Sequence, residues 1–131
     1  MNISRALLAI ILLSCMSTAA MAQVNAQRYV RVAELQIDPT QADAFAEATR
    51  EVGQASVRLE EGCLVLYAVA EKDNPSFVRV FEIYRDSAAY QAHLQTPHFQ
   101  KFRATTEKMV KSRKLIDGVP VSLATKSGVT P

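Results

Sequence analysis

The stretch CLVLYAVAEKDNPSFVRVFEIY, residues 63–84, contains two apolar runs rich in β-branched and aromatic residues, separated by the polar segment EKDNP. Such runs on either side of a polar turn predict a β-hairpin with strands over residues 63–70 and 77–84. In the second strand, large apolar side chains occupy both odd and even positions, so neither face of that strand can be left in water. We therefore expect one face of the sheet to pack against helices and the other against a partner protein.

The residues before the hairpin predict one strand and one helix. Residues 29–37 alternate apolar and polar side chains at the period of a strand. Pro39 cannot continue the strand ladder, and Thr40 with Asp43 resembles a capping box at the start of a helix. Gly62 ends the connection to the hairpin. Core-facing positions of the helix recur every three or four residues, at Phe45, Thr49, Val52, Ser56 and Leu59.

The residues after the hairpin predict two helices and a final strand. A polar capping pair at residues 86–87 starts a short helix that continues through residue 95. The pair at residues 96–97 starts a second helix, whose apolar spacing continues to residue 110. Residues 114–123 predict the last strand, and residues 124–131 predict a flexible C-terminal tail.

The order strand, helix, strand, strand, helix pair, strand predicts an α+β fold. It corresponds to the ferredoxin-like split βαβ plan, in which an antiparallel sheet carries its helices on one face. The length of the chain fits a single domain over residues 29–123.

Residues 1–22 have the three-part layout of a secretory signal peptide: a positive charge, an apolar run and a small-residue cleavage site, Ala20-Met21-Ala22. The apolar run is too short to span a bilayer, so no transmembrane span is expected. We expect cleavage after Ala22, a polar lead at residues 23–28, and export to the periplasm. The alternative is lipoprotein processing at Cys15.

Charge and composition argue against several classes of function. Arg5 leaves with the signal peptide, so 14 of the 15 Lys and Arg remain against 13 Asp and Glu, and a nucleic-acid partner is not expected. Cys63 is then the only cysteine and cannot close an intramolecular disulfide. The few glycines do not build a phosphate loop. His93 and His98 lie five residues apart across a proline and share no helix face, so no metal or other cofactor is expected.

Three motifs resemble the antibiotic biosynthesis monooxygenase family: Glu61-Gly62-Cys63, Glu82-Ile83-Tyr84, and Ala88-Ala89 followed by His93 and His98-Phe99. The resemblance covers residue 29 to about residue 115. It implies a homodimer of the dimeric α/β-barrel type, in which the two sheets pack together, and a pocket between sheet and helices. The family includes cofactor-free oxygenases of phenols and quinols, a sugar-phosphate isomerase and haem-degrading proteins. Because the chain contains no Trp, the Asn and Trp of the anthrone-oxidising members are not carried over.

The family pattern and the chemistry of the side chains together suggest a candidate site. His93 can act as a base towards a bound phenol, and Glu82 can orient it. Tyr84 and Tyr67 can hold the substrate oxygen. Each of these residues also has an ordinary structural explanation, such as a histidine bonded to an adjacent strand or a tyrosine in the core. Further residues expected in the substrate pocket are His98, Phe99 and Phe81.

These residues favour a cofactor-independent monooxygenase that oxidises a small phenolic or quinol substrate with O₂. An alternative is a non-catalytic dimeric protein that binds a small apolar or aromatic ligand in the same pocket. A third function is haem handling, for which only His93 and His98 could supply an axial ligand.

Overall fold

The computed structural model describes residues 28–126. The predicted signal peptide, Cys15, residues 23–27 of the polar lead and residues 127–131 of the tail lie outside the described residues. Within residues 28–126, no helix is both long and apolar enough to cross a bilayer. The elements follow in the order β1 (Tyr29–Ile37), a 3₁₀ turn (Pro39–Gln41), α1 (Ala42–Leu59), β2 (Cys63–Glu71), β3 (Asn74–Tyr84), α2 (Ser87–His93), α3 (Pro97–Thr106) and β4 (Val110–Gly118).

The four strands form one antiparallel sheet in the order β2-β3-β1-β4. The predicted hairpin is confirmed. Its turn consists of Lys72 and Asp73 and is shorter than the predicted polar segment, because both strands extend into that segment. Between β1 and β3 the register pairs Tyr29 with Tyr84 and Leu35 with Val78. This topology, with helices packed on one face, confirms the predicted α+β ferredoxin-like fold.

The main core lies between the sheet and helix α1. Every second residue of a strand points to the same face, so alternate positions of β1 and β3 supply one apolar layer and α1 supplies the other. Phe102 of α3 packs against the edge of this layer, with its ring centroid 6.0 Å from that of Phe45. The buried members are Ala33, Leu35, Ile37, Phe45, Val78 and Val80.

Helix α1 is capped differently from the sequence prediction, and its last predicted core-facing residue is exposed. The Asp38 carboxylate accepts hydrogen bonds from the backbone N–H and the hydroxyl of Thr40, at 3.0 and 2.7 Å, and caps the 3₁₀ turn. The predicted capping box of Thr40 and Asp43 is therefore wrong. The apolar stripe is confirmed through Ser56, but Leu59 is 63% exposed because the helix ends there.

The boundary between α3 and β4 was also predicted wrongly. Helix α3 ends at Thr106, whose carbonyl accepts the N–H of Met109 at 2.9 Å. The Met109 carbonyl in turn accepts the N–H of Asp38 at 2.8 Å, which directs Val110 onto β1. Since two adjacent apolar residues fit both a helical and a strand pattern, periodicity alone could not separate the elements. Strand β4 consequently lies about four residues before the predicted 114–123.

The face of the sheet away from the helices carries exposed apolar side chains. Tyr67 and Phe81 are cross-strand neighbours on β2 and β3 and are 41% and 36% exposed. Val69 on β2 and Ile116 on β4 are exposed as well. We call the surface formed by these four residues the open sheet face. No helix within residues 28–126 covers it.

We expect Gly62→Ala to lower the free energy of unfolding by about 1–3 kcal/mol, a typical cost of overpacking. The added Cβ would overlap the Cβ of Ala89, so α2 would have to move away from the α1–β2 turn. Urea denaturation measures the effect. Gly118→Ala is the matched control, because its Cβ would meet Val30 at 3.6 Å, an ordinary contact. Equal losses in the two variants would contradict the prediction.

Candidate active site

A cavity of about 360 Å³ lies between the sheet and helices α2 and α3. Its volume is in the range of small-molecule sites. Apolar and polar side chains alternate around it, so it can enclose a ring and still make hydrogen bonds to its substituents. The helical wall includes Tyr90, His93, Phe99 and Phe102, and the sheet wall includes Arg31, Leu35, Glu82 and Leu115.

His93 joins this cavity to a hydrogen-bonded cluster behind the helical wall. Nδ1 of His93 lies 2.9 and 3.1 Å from the two carboxylate oxygens of Glu60. Nε2 of His98 lies 2.5 Å from one of the same oxygens. The side chain of His93 is only 2% exposed, and those of Glu60 and His98 are 11% and 17% exposed. We call these three residues the Glu60 cluster.

The Glu60 cluster fixes which nitrogen of His93 carries hydrogen. Burial favours a higher pKa for Glu60, but hydrogen bonds from His98 and His93 outweigh it, so the pKa of Glu60 is lowered and the carboxylate is ionised. A carboxylate only accepts hydrogen bonds, so Nδ1 of His93 is the donor. Burial lowers the pKa of His93 despite the nearby Glu60 charge, so the ring is neutral near pH 7. Its Nε2, which has no hydrogen-bond partner within residues 28–126, therefore carries a bare lone pair.

The local sequence explains how two histidines reach one carboxylate. Glu60 follows the last residue of α1 with an extended backbone (φ −105°, ψ 109°). His93 is the final residue of α2, which ends two residues before the predicted residue 95. The Thr96 hydroxyl donates to the His93 carbonyl at 2.8 Å and accepts the N–H of Phe99 at 3.3 Å. This cap begins α3 directly beside α2 and brings the His98 ring to a centroid distance of 6.4 Å from His93.

Glu82 is a second carboxyl group in the cavity wall. Burial raises the pKa of Glu82 in spite of a hydrogen bond that the Tyr84 hydroxyl donates to its Oε2 at 3.2 Å. Burial also raises the pKa of Tyr84, and Glu82 adds to that rise, so the phenol stays protonated. Tyr84 is fully buried and does not line the cavity. It therefore positions Glu82 rather than contacting a ligand directly.

Arg31 forms the polar end of the sheet wall. Its Nε and one terminal nitrogen donate to Asp117 at 2.9 and 2.6 Å, and the same terminal nitrogen lies 2.5 Å from the Tyr29 hydroxyl. The other terminal nitrogen hydrogen bonds to the Tyr90 hydroxyl. The guanidinium carbon lies 4.5 Å from the centre of the Tyr90 ring, and that ring stacks on Tyr29 with centroids 4.8 Å apart. A connected network of hydrogen bonds and ring contacts thus fixes the side chains at this end of the cavity.

The structure places three of the residues proposed from sequence at the cavity: His93, Glu82 and Phe99. His98 contributes through Glu60. It is Glu60, and not Glu82, that hydrogen bonds His93 within residues 28–126, which corrects the expected orienting residue.

The positions of Tyr67 and Phe81 are corrected as well. Both lie on the open sheet face and do not line the cavity. The physical reason is the two-residue period of a strand: Phe81 neighbours Glu82, which points towards the helices, so Phe81 and its cross-strand partner Tyr67 point the other way.

Two residues of the site were missed from the sequence, and each left a signal. Glu60 stands immediately before the Glu61-Gly62-Cys63 motif, at the position where a helix ends. Arg31 is a charged residue in the inward-facing row of β1, between the apolar positions Tyr29 and Ala33. A charge in such a row must meet either a partner or a ligand.

The Glu60 cluster could also hold a metal ion. One ligand atom from each of Glu60, His93 and His98 lies within 4.8 Å of the others. Imidazole and carboxylate are ordinary ligands of divalent transition metals. His93 and His98 share no helix face, as the sequence indicates, but they come from different helices and their rings converge on Glu60.

Comparisons with known proteins agree with the observed fold. Residues 28–105 match the sequence profile of the family described as antibiotic biosynthesis monooxygenase. A protein of Bacteriodes thetaiotaomicron VPI-5482, provisionally named an antibiotic biosynthesis monooxygenase, is 43% identical, with 76% of this chain and 95% of that chain covered and a TM-score of 0.73. A protein of Nitrosomonas europaea with the same provisional name is 25% identical, with 72% and 99% covered and a TM-score of 0.68. No curated protein matches the chain.

We expect Glu60→Gln to lower the pKa of His93 further below its wild-type value. The charge and hydrogen bond of Glu60 favour the protonated ring, so their loss leaves burial unopposed. NMR titration of the imidazole signals measures the change. Glu61→Gln is the matched control, since Glu61 is 93% exposed and pairs only with Arg85 among the described residues. A His93 pKa that stays constant or rises in Glu60→Gln would contradict the assignment.

Proposed function

This chain belongs to the antibiotic biosynthesis monooxygenase family, and we propose that it oxidises a small phenolic or quinol substrate with O₂, without a metal or organic cofactor. One observation carries the proposal: a buried, neutral imidazole presents an unpartnered nitrogen at a cavity of about 360 Å³. Such a group is a general base for a phenol hydroxyl, and the enclosing walls keep water away from the product of that step.

The proposed reaction begins with proton transfer. Nε2 of His93 accepts the proton of the substrate hydroxyl, and the imidazolium that forms is stabilised by the Glu60 carboxylate at Nδ1. Glu60 thus acts as a positioning residue, because it orients the ring and favours its charged form. His98, which donates to the same carboxylate, holds Glu60 in place.

The phenolate made in this way is electron-rich enough to reduce O₂ itself. One electron passes from the phenolate to O₂, and the resulting radicals combine to form a carbon–oxygen bond on the ring. The peroxide then loses water and leaves a carbonyl group. For a quinol, one oxygen atom enters the ring and the other leaves as water, so the substrate supplies all four electrons. The protein supplies a base, orientation and a cavity that is apolar on the side of Phe99 and Leu35.

Glu82 is suited to a second role in the same cavity. Its raised pKa favours the protonated carboxyl relative to an ordinary glutamic acid, so it can donate a hydrogen bond to a substrate oxygen. The Tyr84 hydroxyl fixes its orientation. His93 and Glu82 stand on the helical and sheet walls, so a flat ring between Phe99 and Leu35 could meet one polar group at each side.

We expect the protein to consume O₂ with simple hydroquinones and His93→Gln to slow uptake by about 10²–10⁴-fold, the usual contribution of a general base. Glu60→Gln should slow uptake to a smaller extent, and Glu61→Gln should leave it unchanged. An oxygen electrode measures the rates, with and without a chelator. Loss of activity on chelation would contradict the cofactor-free reaction and would implicate the Glu60 cluster as a metal site. No uptake above autoxidation would favour a protein that binds its ligand without turnover.

We further propose that the protein is a homodimer whose two sheets pack through the open sheet face. Four apolar side chains are exposed there, including Val69 at 66% and Ile116 at 38%. Solvated antiparallel sheets normally carry polar residues on the outer face, so an apolar face favours burial against another surface. Charged residues of both signs flank the apolar centre: Arg79 pairs with Glu34 and Glu71. Charges of both signs beside an apolar centre would allow the same surface of a second copy to pack against it, as a two-fold interface requires.

We expect Phe81→Arg to convert the dimer into a monomer, because the buried guanidinium would have no partner at the centre of the interface. Light scattering coupled to size-exclusion chromatography measures the mass. Val57→Arg is the matched control, since Val57 is a 50% exposed apolar residue on α1, away from the sheet face. A wild-type protein that elutes as a monomer, or a Phe81→Arg variant that stays dimeric, would overturn the proposal.

A further inference from the structure

Three arginines from three different elements line the cavity. Arg31 comes from β1, Arg103 from α3 and Arg113 from β4. The carboxyl group of Glu82 is the only acidic side chain in the same lining. The cavity lining therefore carries more positive than negative side chains, among apolar and uncharged polar residues.

Two of these arginines have no counter-ion among the described residues. Arg31 is paired with Asp117, as described above. Arg103 and Arg113 form no ion pair and no side-chain hydrogen bond within residues 28–126. All 13 acidic side chains of the sequence lie within those residues, so no other Asp or Glu of this chain is left to pair with them. Each remaining guanidinium offers five donors in a planar fork suited to an oxyanion.

The positions of the charges separate the two ends of the cavity. Arg103 and Arg113 are exposed and lie at its mouth, whereas His93 is 2% exposed. Asp117 pairs with Arg31 and neutralises the charge at the inner end. An anionic group is consequently attracted to the mouth more strongly than to the inner end, where Arg31 already has a counter-ion. The charge distribution would orient a ligand that carries a hydroxyl at one end and an anion at the other.

We propose that the substrate is an anionic aromatic compound, whose phenolic hydroxyl reaches His93 while a carboxylate or phosphate group binds to Arg103 and Arg113. This inference rests on the proposed function for the role of His93, but the anion site itself requires no turnover. Bidentate pairing of guanidinium with an oxyanion supplies both affinity and orientation. Two unpaired cations at a cavity mouth also raise the rate at which an anion enters.

The test compares two ligands that differ by one charge, titrated without O₂ so that neither can be oxidised. Calorimetry measures the Kd of 4-hydroxybenzoate and of 4-hydroxybenzamide at low ionic strength. We expect the acid to bind about tenfold or more tightly than the amide, the gain of one charged pair.

The double variant Arg103→Gln/Arg113→Gln should lose that preference, and added salt should weaken it. Arg58→Gln, which removes an exposed arginine from α1 outside the cavity, should retain it. Phenyl phosphate in a third titration distinguishes phosphate from carboxylate, and tighter binding of either anion supports the proposal.

The outcomes separate this inference from the proposed reaction. Equal affinity for acid and amide, or a preference that survives the double substitution, overturns the anion site. Oxygen uptake with 1,4-dihydroxybenzene and 2,5-dihydroxybenzoate is then compared. A clear preference in binding without uptake from either compound would leave the anion site standing and remove the monooxygenase. Equal uptake from both compounds, without a binding preference, would support the monooxygenase and overturn the anion site.

Discussion

The carboxylate of Glu60 holds the site together, because it is the single acceptor shared by two imidazoles from two helices. A carboxylate that is only 11% exposed must have its lone pairs satisfied, and His93 and His98 do this from the end of α2 and the start of α3. These helices have 7 and 10 residues, too short to be stable alone. Glu60 therefore anchors both to the end of α1. The helical wall of the cavity and the protonation of its base thus depend on one buried group.

Strand β3 divides the molecule into two functional surfaces. Its residues alternate between Glu82 and Val80 on the side of the helices and Phe81 on the open sheet face. The strand is internal in the sheet, so its register is set on both sides, by β1 and by β2. A shift of one residue would exchange a buried carboxyl group for a phenylalanine, which neither surface would tolerate. The proposed catalytic and dimerisation surfaces are thus fixed by the same hydrogen-bond ladder.

The sequence predicted best those elements that are determined by residues close together along the chain. Strand β1 was predicted with its observed bounds, and the caps of α2 and α3 were both found, because alternation and capping are properties of a few adjacent residues. Glu60 was missed because a glutamate after an amphipathic helix is normally solvated. Its burial depends on histidines 33 and 38 residues away. Tyr67 was placed in the pocket since its chemistry suited a phenol, whereas only the pairing with β3 shows which face it occupies.

The side chains at the two ends of the cavity differ in how far they are fixed before a ligand binds. Arg31 is fixed by Asp117, Tyr29 and Tyr90, so a molecule that reaches it finds donors and rings whose motion has largely been lost during folding. The mouth is different, since its exposed side chains must be immobilised by whatever enters. The entropic cost of ordering protein side chains would then arise mainly at the mouth, around the part of a ligand that is far from the reacting atom. Variation in the size and shape of an anionic group should be tolerated at the mouth, whereas variation at the inner end should be penalised. One protein could then accept a series of related compounds while keeping its reaction geometry.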